Sequence, residues 1–149
     1  MKFRISVSPQ DKDRVKKYLE EHGVEISDEA AYVITDSFSE PAFLSVRSEA
    51  GEHLKISPGE VIYIEAFGKD IEVHAEKQTY YALDRIYQLE ETLDKKEFLR
   101  VSKSVIISRK HVRKIRPSLS MKFVLTMSDG TLVDVTRSYY SEFRRFFNI

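Results

Sequence analysis

The chain contains no cysteine and only five glycines among its 149 residues. Without cysteine it can form neither disulfides nor a thiol nucleophile, which favours the cytoplasm. The glycines stand singly at predicted turns, so a glycine-rich phosphate loop for nucleotide hydrolysis is missing. Apolar runs stay short of the roughly 18 to 20 residues of a membrane span, and the N-terminus lacks the apolar core of a signal peptide. We therefore expect a cytoplasmic globular protein.

The sequence also offers little from which a metal centre or an active site could be built. The histidines lie far apart, and no pair has the spacing of a metalloprotease: His22, His53, His74 and His111. Glu65, Asp70 and Glu72 crowd one predicted hairpin, but the pattern places no base or electrophile beside them. We expect no catalysis, no metal, no cofactor and no small-molecule substrate.

Charge is balanced over the whole chain but unevenly distributed along it. Residues 1–50 carry 7 basic and 10 acidic side chains, whereas residues 51–149 carry 17 and 14. Residues 98–128 contain eight basic side chains and no acidic one. A local basic field of this kind can attract nucleic acid even when the net charge is zero. On charge pattern alone, solvated strands and loops are an equally good interpretation.

Hydrophobic periodicity predicts a small β-α-β extension over residues 1–41. Alternation over residues 2–8 indicates a strand, and residues 9–22 are typical of a helix that ends at Gly23. A second strand is predicted over residues 30–35. The unit is too small to bury a secure core, so we expect it to serve dimerisation or partner binding.

Residues 42–149 change to short strands separated by turn signals. The predicted strands cover residues 43–47, 53–56, 61–66, 71–75, 98–101, 105–107, 112–116, 122–127 and 131–136. One helix interrupts them, with Leu83, Ile86, Tyr87 and Leu93 on its apolar side, and an amphipathic segment covers residues 138–147. This pattern predicts a mainly β sandwich or stack with one packed helix.

Four segments of this part occur in a recognisable order: IYIEA at residues 62–66, a helix ending LEETL at 89–93, FLRVSKSVIIS at 98–108, and VTR at 135–137. In this order they resemble the LytTR family of bacterial response regulators. The resemblance implies an elongated stack of small antiparallel β-sheets with one packed helix. Loops between the strands would enter successive major grooves of double-stranded DNA.

The resemblance also implies which side chains contact DNA. Three positions reach the bases, namely Ile71 with Lys69 beside it, Lys103, and Arg137. Lysine and arginine suit the O6 and N7 acceptors of guanine, and arginine can donate two parallel hydrogen bonds. Contacts to the DNA backbone are implied for Arg100, Ser102, Ser104, Ser108, Arg109 and Lys110.

Some positions depart from the family pattern. Ile71 stands where the family often has histidine, so either Lys69 substitutes or the contact is lost or reduced to packing on a thymine methyl. Ser102 replaces a usual histidine and Ser108 a usual asparagine.

Structural roles are the alternatives for several of these residues. Ser104 and Ser108 could stabilise turns, and Arg137 could cap the junction between strand and helix. Arg100 could form a salt bridge to the helix, at Glu91 or Glu97.

The leading hypothesis is a sequence-specific DNA-binding transcription regulator that acts as a homodimer at paired sites. No receiver domain of the usual 120 or so residues precedes the LytTR-like part, so control other than phosphorylation by a histidine kinase is expected. Some short regulators that resemble this chain work with a membrane partner, which makes a regulatory membrane protein one candidate. The alternative hypothesis is a protein-interaction or antagonist module that keeps the fold and binds DNA weakly.

Overall fold

The computed structural model describes residues 1–35 and 43–149, which belong to two compact units, Met1–Pro41 and Ala42–Ile149. The predicted domain boundary between residues 41 and 42 lies outside the described residues. Each unit has its own sheet structure.

The first unit is a three-stranded parallel sheet with one helix. Its elements are β1 (Lys2–Ser6), α1 (Lys12–Glu21), β2 (Glu25–Ile26) and β3 (Tyr32–Thr35). The central strand β1 pairs in parallel with β2 on one side and β3 on the other. The helix begins at residue 12, later than predicted, because the Ser8 carbonyl accepts the amides of Asp11 and Lys12 in a preceding turn. Gly23, at φ +82°, follows its end as predicted.

A seven-stranded antiparallel sheet dominates the second unit. Its strands, in chain order, are β4 (Leu44–Arg47), β5 (His53–Ile56), β6 (Val61–Phe67), β7 (Asp70–Ala75), β8 (Thr79–Ala82), β9 (Phe98–Arg100) and β10 (Val105–Ser108). In space they run β5-β4-β8-β7-β6-β10-β9. Strand β6 lies in the interior of the sheet, between β7 and β10, which accounts for the burial of its first four residues, including Tyr63 and Ile64.

A three-stranded antiparallel sheet and two helices complete this unit. They are α2 (Ile86–Thr92), β11 (Val112–Ser118), β12 (Lys122–Met127), β13 (Leu132–Val135) and α3 (Tyr140–Phe147). Pro117 is tolerated in β11 because this strand is at the sheet edge and needs no further donor. Within residues 1–35 and 43–149, no helix is long and apolar enough to cross a membrane.

Two apolar clusters lie on opposite faces of the large sheet. One joins the sheet to α2 through residues such as Ile64, Ile106 and Leu89. The other joins it to the three-stranded sheet and α3 through residues such as Ile107 and Phe143. The adjacent isoleucines of β10 therefore face different layers, as strand alternation requires. The predicted fold class, mainly β with antiparallel sheets and one packed helix, is confirmed.

The apolar face predicted for the middle helix is wrong in part. Leu83 lies before α2, and both Leu83 and Tyr87 are 54% exposed, whereas Leu89 and Leu93 are buried. Residues 79–82 form the unpredicted strand β8, which pairs with β7 and β4 and delays the helix. The helix starts where the Gln88 side chain accepts the backbone amide of Arg85.

Candidate nucleic-acid interface

The turn between β6 and β7 presents Lys69 to solvent. The strands pair up to Phe67 and Asp70, which leaves a two-residue hairpin loop of Gly68 and Lys69. Gly68 has φ +61°, a conformation that favours glycine and matches tight hairpin turns. Lys69 is exposed, and within the described residues its side chain forms no hydrogen bond or ion pair.

Ile71 occupies a different environment from Lys69. It is half-buried and packs against the apolar cluster between the large sheet and α2. Its partner across the hairpin is Ala66. This placement leaves Ile71 little surface to present to a base, so Lys69 is the side chain of this connection that can reach a ligand.

The loop between β9 and β10, residues 101–104, presents Lys103. The amide of Val101 donates to the carbonyl of Val105 at 2.9 Å and closes the loop. The hydroxyl of Ser102 accepts the amide of Ser104 at 3.3 Å, so Ser102 stabilises the turn from a buried position. Lys103 projects from this turn into solvent, and its ammonium group has no partner among residues 1–35 and 43–149.

Arg100 binds the backbone of this loop with its guanidinium group. Its Nε donates to the carbonyl of Ser102 at 3.1 Å, and a terminal nitrogen donates to the carbonyl of Lys103. The other terminal nitrogen lies 3.5 Å from a carboxylate oxygen of Glu90 on α2. The predicted alternative, a salt bridge to the helix, is present, but its partner is Glu90 and neither Glu91 nor Glu97. Because these donors are used internally, Arg100 positions the loop.

Arg137 follows the end of β13. The preceding residue, Thr136, donates its amide to the carbonyl of Val101 at 3.0 Å and its hydroxyl to the same oxygen at 3.4 Å. Arg137 then begins a short 3-10 turn, Arg137–Tyr139, that leads into α3. Its side chain is exposed, and no capping contact to the helix is present in the described part of the chain.

Two backbone hydrogen bonds bring these three connections together. The amide of Ala66, next to the β6–β7 turn, donates to the carbonyl of Ser104 at 2.8 Å. At the other end of the same loop, Val101 accepts the amide of Thr136. The loop at residues 101–104 therefore lies between the other two connections. We call residues 67–70, 101–104 and 136–137 the cationic edge, because each segment carries an exposed cation.

The predicted backbone-contacting residues are not all at this edge. Ser104 belongs to it, but Ser108, Arg109 and Lys110 lie at the opposite end of β10, about 13 Å along a four-residue strand. Ser108 is 1% exposed, so its hydroxyl has no access to a ligand. The guanidinium of Arg109 stacks 5.0 Å from the ring centroid of Phe146.

A polar groove lies between β10 and β13 and is lined in part by residues of the cationic edge. Glu65 and Asp134 contribute its carboxylates, and Ser102, Ser104 and Thr136 contribute hydroxyls. Tyr63, which is buried, also lines it. Burial raises the pKa of Tyr63 above its usual value near 10, a hydrogen bond from Thr131 opposes this, and nearby carboxylates add to it.

A family model for the LytTr DNA-binding domain matches residues 51–148. The chain belongs to the LytTR DNA-binding domain family. The resemblance predicted from the order of the four sequence segments is therefore confirmed. In this LytTR chain the family match includes every residue of the cationic edge.

Relatives and a solved structure agree with this assignment. The chain is 27% identical over 112 residues to the sensory transduction protein LytT of Bacillus subtilis, covering 68% of the chain and 46% of that protein. It is 26% identical over 147 residues to LytT of Bacillus cereus, covering 96% of the chain and 59% of that protein. A solved LytTr DNA-binding domain from Bacillus cereus superposes with a TM-score of 0.68 at 29% identity, covering 72% of this chain and 97% of the solved one. The chain spans about half the length of these LytT relatives.

Sequence reasoning missed two features of the site. The sequence does not single out Glu90 because four acidic residues, Glu90, Glu91, Asp94 and Glu97, lie within ten positions of Arg100. Phe67 was not considered, although it is 68% exposed in the turn that carries Lys69. The sequence signal for Phe67 was its position directly before the Gly68-Lys69 turn, where side chains are commonly exposed.

Proposed function

We propose that the LytTR unit binds specific double-stranded DNA sequences through the cationic edge and that the protein regulates transcription. Lys69, Lys103 and Arg137 would read base edges, and Ser104 would contact the backbone. The observation that carries this proposal is the pair of backbone hydrogen bonds that unites three connections, each with an exposed cation that has no partner in residues 1–35 and 43–149.

Chemistry favours guanine-containing sites for these side chains. An exposed lysine or arginine that has no internal partner keeps all its donors for a ligand. In the major groove, guanine presents two adjacent acceptors that match these donors. Loops that lie side by side on one edge can address neighbouring base pairs without a recognition helix.

The structure gives less support to DNA backbone contacts by Arg109 and Lys110. They lie at the far end of β10 from Lys103, so they would contact only DNA that extends along the molecule. Ser102 and Arg100 act in the proposal as residues that shape the loop at 101–104, and Ser108 is too buried to contact DNA. Homodimerisation and a regulatory membrane-protein partner stay predictions.

The proposal is tested with the full chain and duplexes selected from a random library. Arg137→Ala should weaken binding to the selected duplex by roughly 1 to 3 kcal/mol and relax the preference at one base pair. Affinity should fall steeply as salt rises, because phosphate contacts release counterions. Lys77→Ala is the matched control for Lys69→Ala, since Lys77 lies beyond the opposite end of β7.

The outcomes separate the proposal from its alternative. If no duplex is enriched and binding is weak and indifferent to Arg137, the protein-interaction module becomes the better hypothesis. Equal losses for Lys77→Ala and Lys69→Ala would show a diffuse charge effect and remove the cationic edge from the proposal.

A further inference from the structure

The hairpin between β11 and β12 exposes large apolar side chains at its tip. Leu119 is 88% exposed and Met121 is 50% exposed. Lys122, the next residue, is also exposed and has no ion pair within the described ranges. Two unburied apolar side chains beside a free cation are unusual for a hairpin that only reverses the chain.

Strand register places this tip next to the cationic edge. Phe123 of β12 pairs with Val135 of β13. The same antiparallel register carried one residue further sets Lys122 beside Thr136, and the tip beside Arg137. Thr136 is the residue that bonds to the loop at 101–104. The hairpin tip therefore extends the cationic edge beyond Arg137.

The charge around the tip suits a polyanion. Arg116 and Lys122 share the outer face of the three-stranded sheet near the tip. The opposite face carries the buried residues of the core, such as Phe123 and Leu125. On β11, β12 and β13 the one acidic residue is Asp134, which pairs with Val124.

The backbone of the hairpin tip is strained. Ser120 has φ +65° and Met121 has φ +57°, so two successive non-glycine residues are left-handed. Glycine or asparagine would adopt this conformation more readily. Strained residues persist mostly where a side chain or conformation has a function.

We propose that this hairpin tip is a fourth DNA-contacting segment, which flanks the base pair read by Arg137. Lys122 binds a phosphate, and Leu119 and Met121 pack against sugars or thymine methyl groups. The inference rests on the proposed function, because its position is defined relative to Arg137. Duplex DNA is the partner that fits, since the tip continues a surface already assigned to DNA and its charge is positive.

The test compares four variants of the full chain on the selected duplex across a range of salt concentrations. Lys122→Ala should weaken binding about fivefold to tenfold near 0.1 M salt and lower the slope of log affinity against log salt by about 1. Leu119→Ser should weaken binding with the slope unchanged. Lys114→Ala is the matched control, because Lys114 lies on the same face about 13 Å further from the tip.

Arg137→Ala separates this inference from the proposed function. If it weakens binding while Lys122→Ala and Leu119→Ser match the wild type, the hairpin proposal is overturned and the proposed function stands. If none of the variants changes affinity, both are overturned. Loss of co-sedimentation with phosphatidylserine vesicles in the hairpin variants, at unchanged duplex affinity, would overturn the DNA assignment in favour of a lipid surface. Thermal unfolding of Leu119→Ser should match the wild type, since its side chain is already in solvent.

Discussion

The guanidinium of Arg100 donates a hydrogen bond to the backbone carbonyl of Lys103, the residue at the centre of the cationic edge. A second donor binds the carbonyl of Ser102, and Glu90 of α2 holds the remaining nitrogen. A charged group anchored on the helix thus fixes the loop that presents Lys103. A loop ordered before binding loses less conformational entropy when a ligand arrives.

Replacing Arg100 by alanine should loosen this loop without removing a phosphate contact. We expect weaker duplex binding and a loss of about 1 to 3 kcal/mol in the free energy of unfolding, because the carbonyls of Ser102 and Lys103 lose a charged donor. The salt slope should stay unchanged, measured by titration at several salt concentrations. A slope that falls by about 1 would contradict this role and make Arg100 a phosphate ligand. Glu90→Gln is the control and should cost under about 1 kcal/mol, since the carboxylate is partly exposed.

His111 should matter for stability and little for DNA binding. Its buried ring lies 2.8 Å from the hydroxyl of Ser128 and 3.3 Å from the carbonyl of Gly59, so it links three connections. His111→Ala leaves a cavity and unpaired polar groups, and should lower the free energy of unfolding by about 2 to 4 kcal/mol in urea titrations. Ser128→Ala should cost only about 1 kcal/mol. Equal costs for the two variants would mean that the ring contributes little beyond that one hydrogen bond.

Relieving the strain at the β11–β12 hairpin should stabilise the fold. Ser120→Asn combined with Met121→Gly supplies residues that tolerate a left-handed backbone. We expect the free energy of unfolding to rise by about 1 kcal/mol, measured by urea denaturation, because the greater freedom of unfolded glycine offsets part of the gain. A loss of stability would show that the tip is not strained. The same variant should bind DNA more weakly if Met121 contacts the duplex.

Tyr63 should make stability fall at alkaline pH. Burial raises its pKa in the folded state above the value near 10 of the unfolded chain. Above pH 10 the unfolded chain therefore loses this proton first, and the stabilisation present below pH 10 is lost as pH rises. Tyr63→Phe removes the titration, so its stability deficit relative to the wild type should shrink between pH 9 and pH 11. A deficit that stays constant across this range would contradict the shift.

The strands of the LytTR unit could be predicted because their patterns are local. Alternation and turn residues identify β6, β10 and β12 with near-correct bounds, since each strand is flanked by polar turns. Strand β8 was not predicted because its sequence, TYYA, does not alternate between apolar and polar residues and all four residues are half-buried. It is a strand because it pairs with β4 and β7, which lie elsewhere in the chain, and local periodicity carries no information about such pairing.

The residues of the candidate site could be predicted, but the contacts that hold their loops together could not. Lys69, Lys103 and Arg137 were selected by family resemblance, and their proximity depends on hydrogen bonds from Ala66 to Ser104 and from Thr136 to Val101. Those bonds join residues far apart in the chain. The buried position of Ser108 likewise depends on neighbouring strands, so sequence could not exclude it from the surface.

Those two joining bonds use only main-chain atoms at both ends. No side-chain replacement at positions 69, 103 or 137 removes a donor or an acceptor from them. The scaffold can therefore hold these three positions in place while their side chains are exchanged. Under the proposed function, single substitutions at these positions would change operator preference without refolding the surface that carries them.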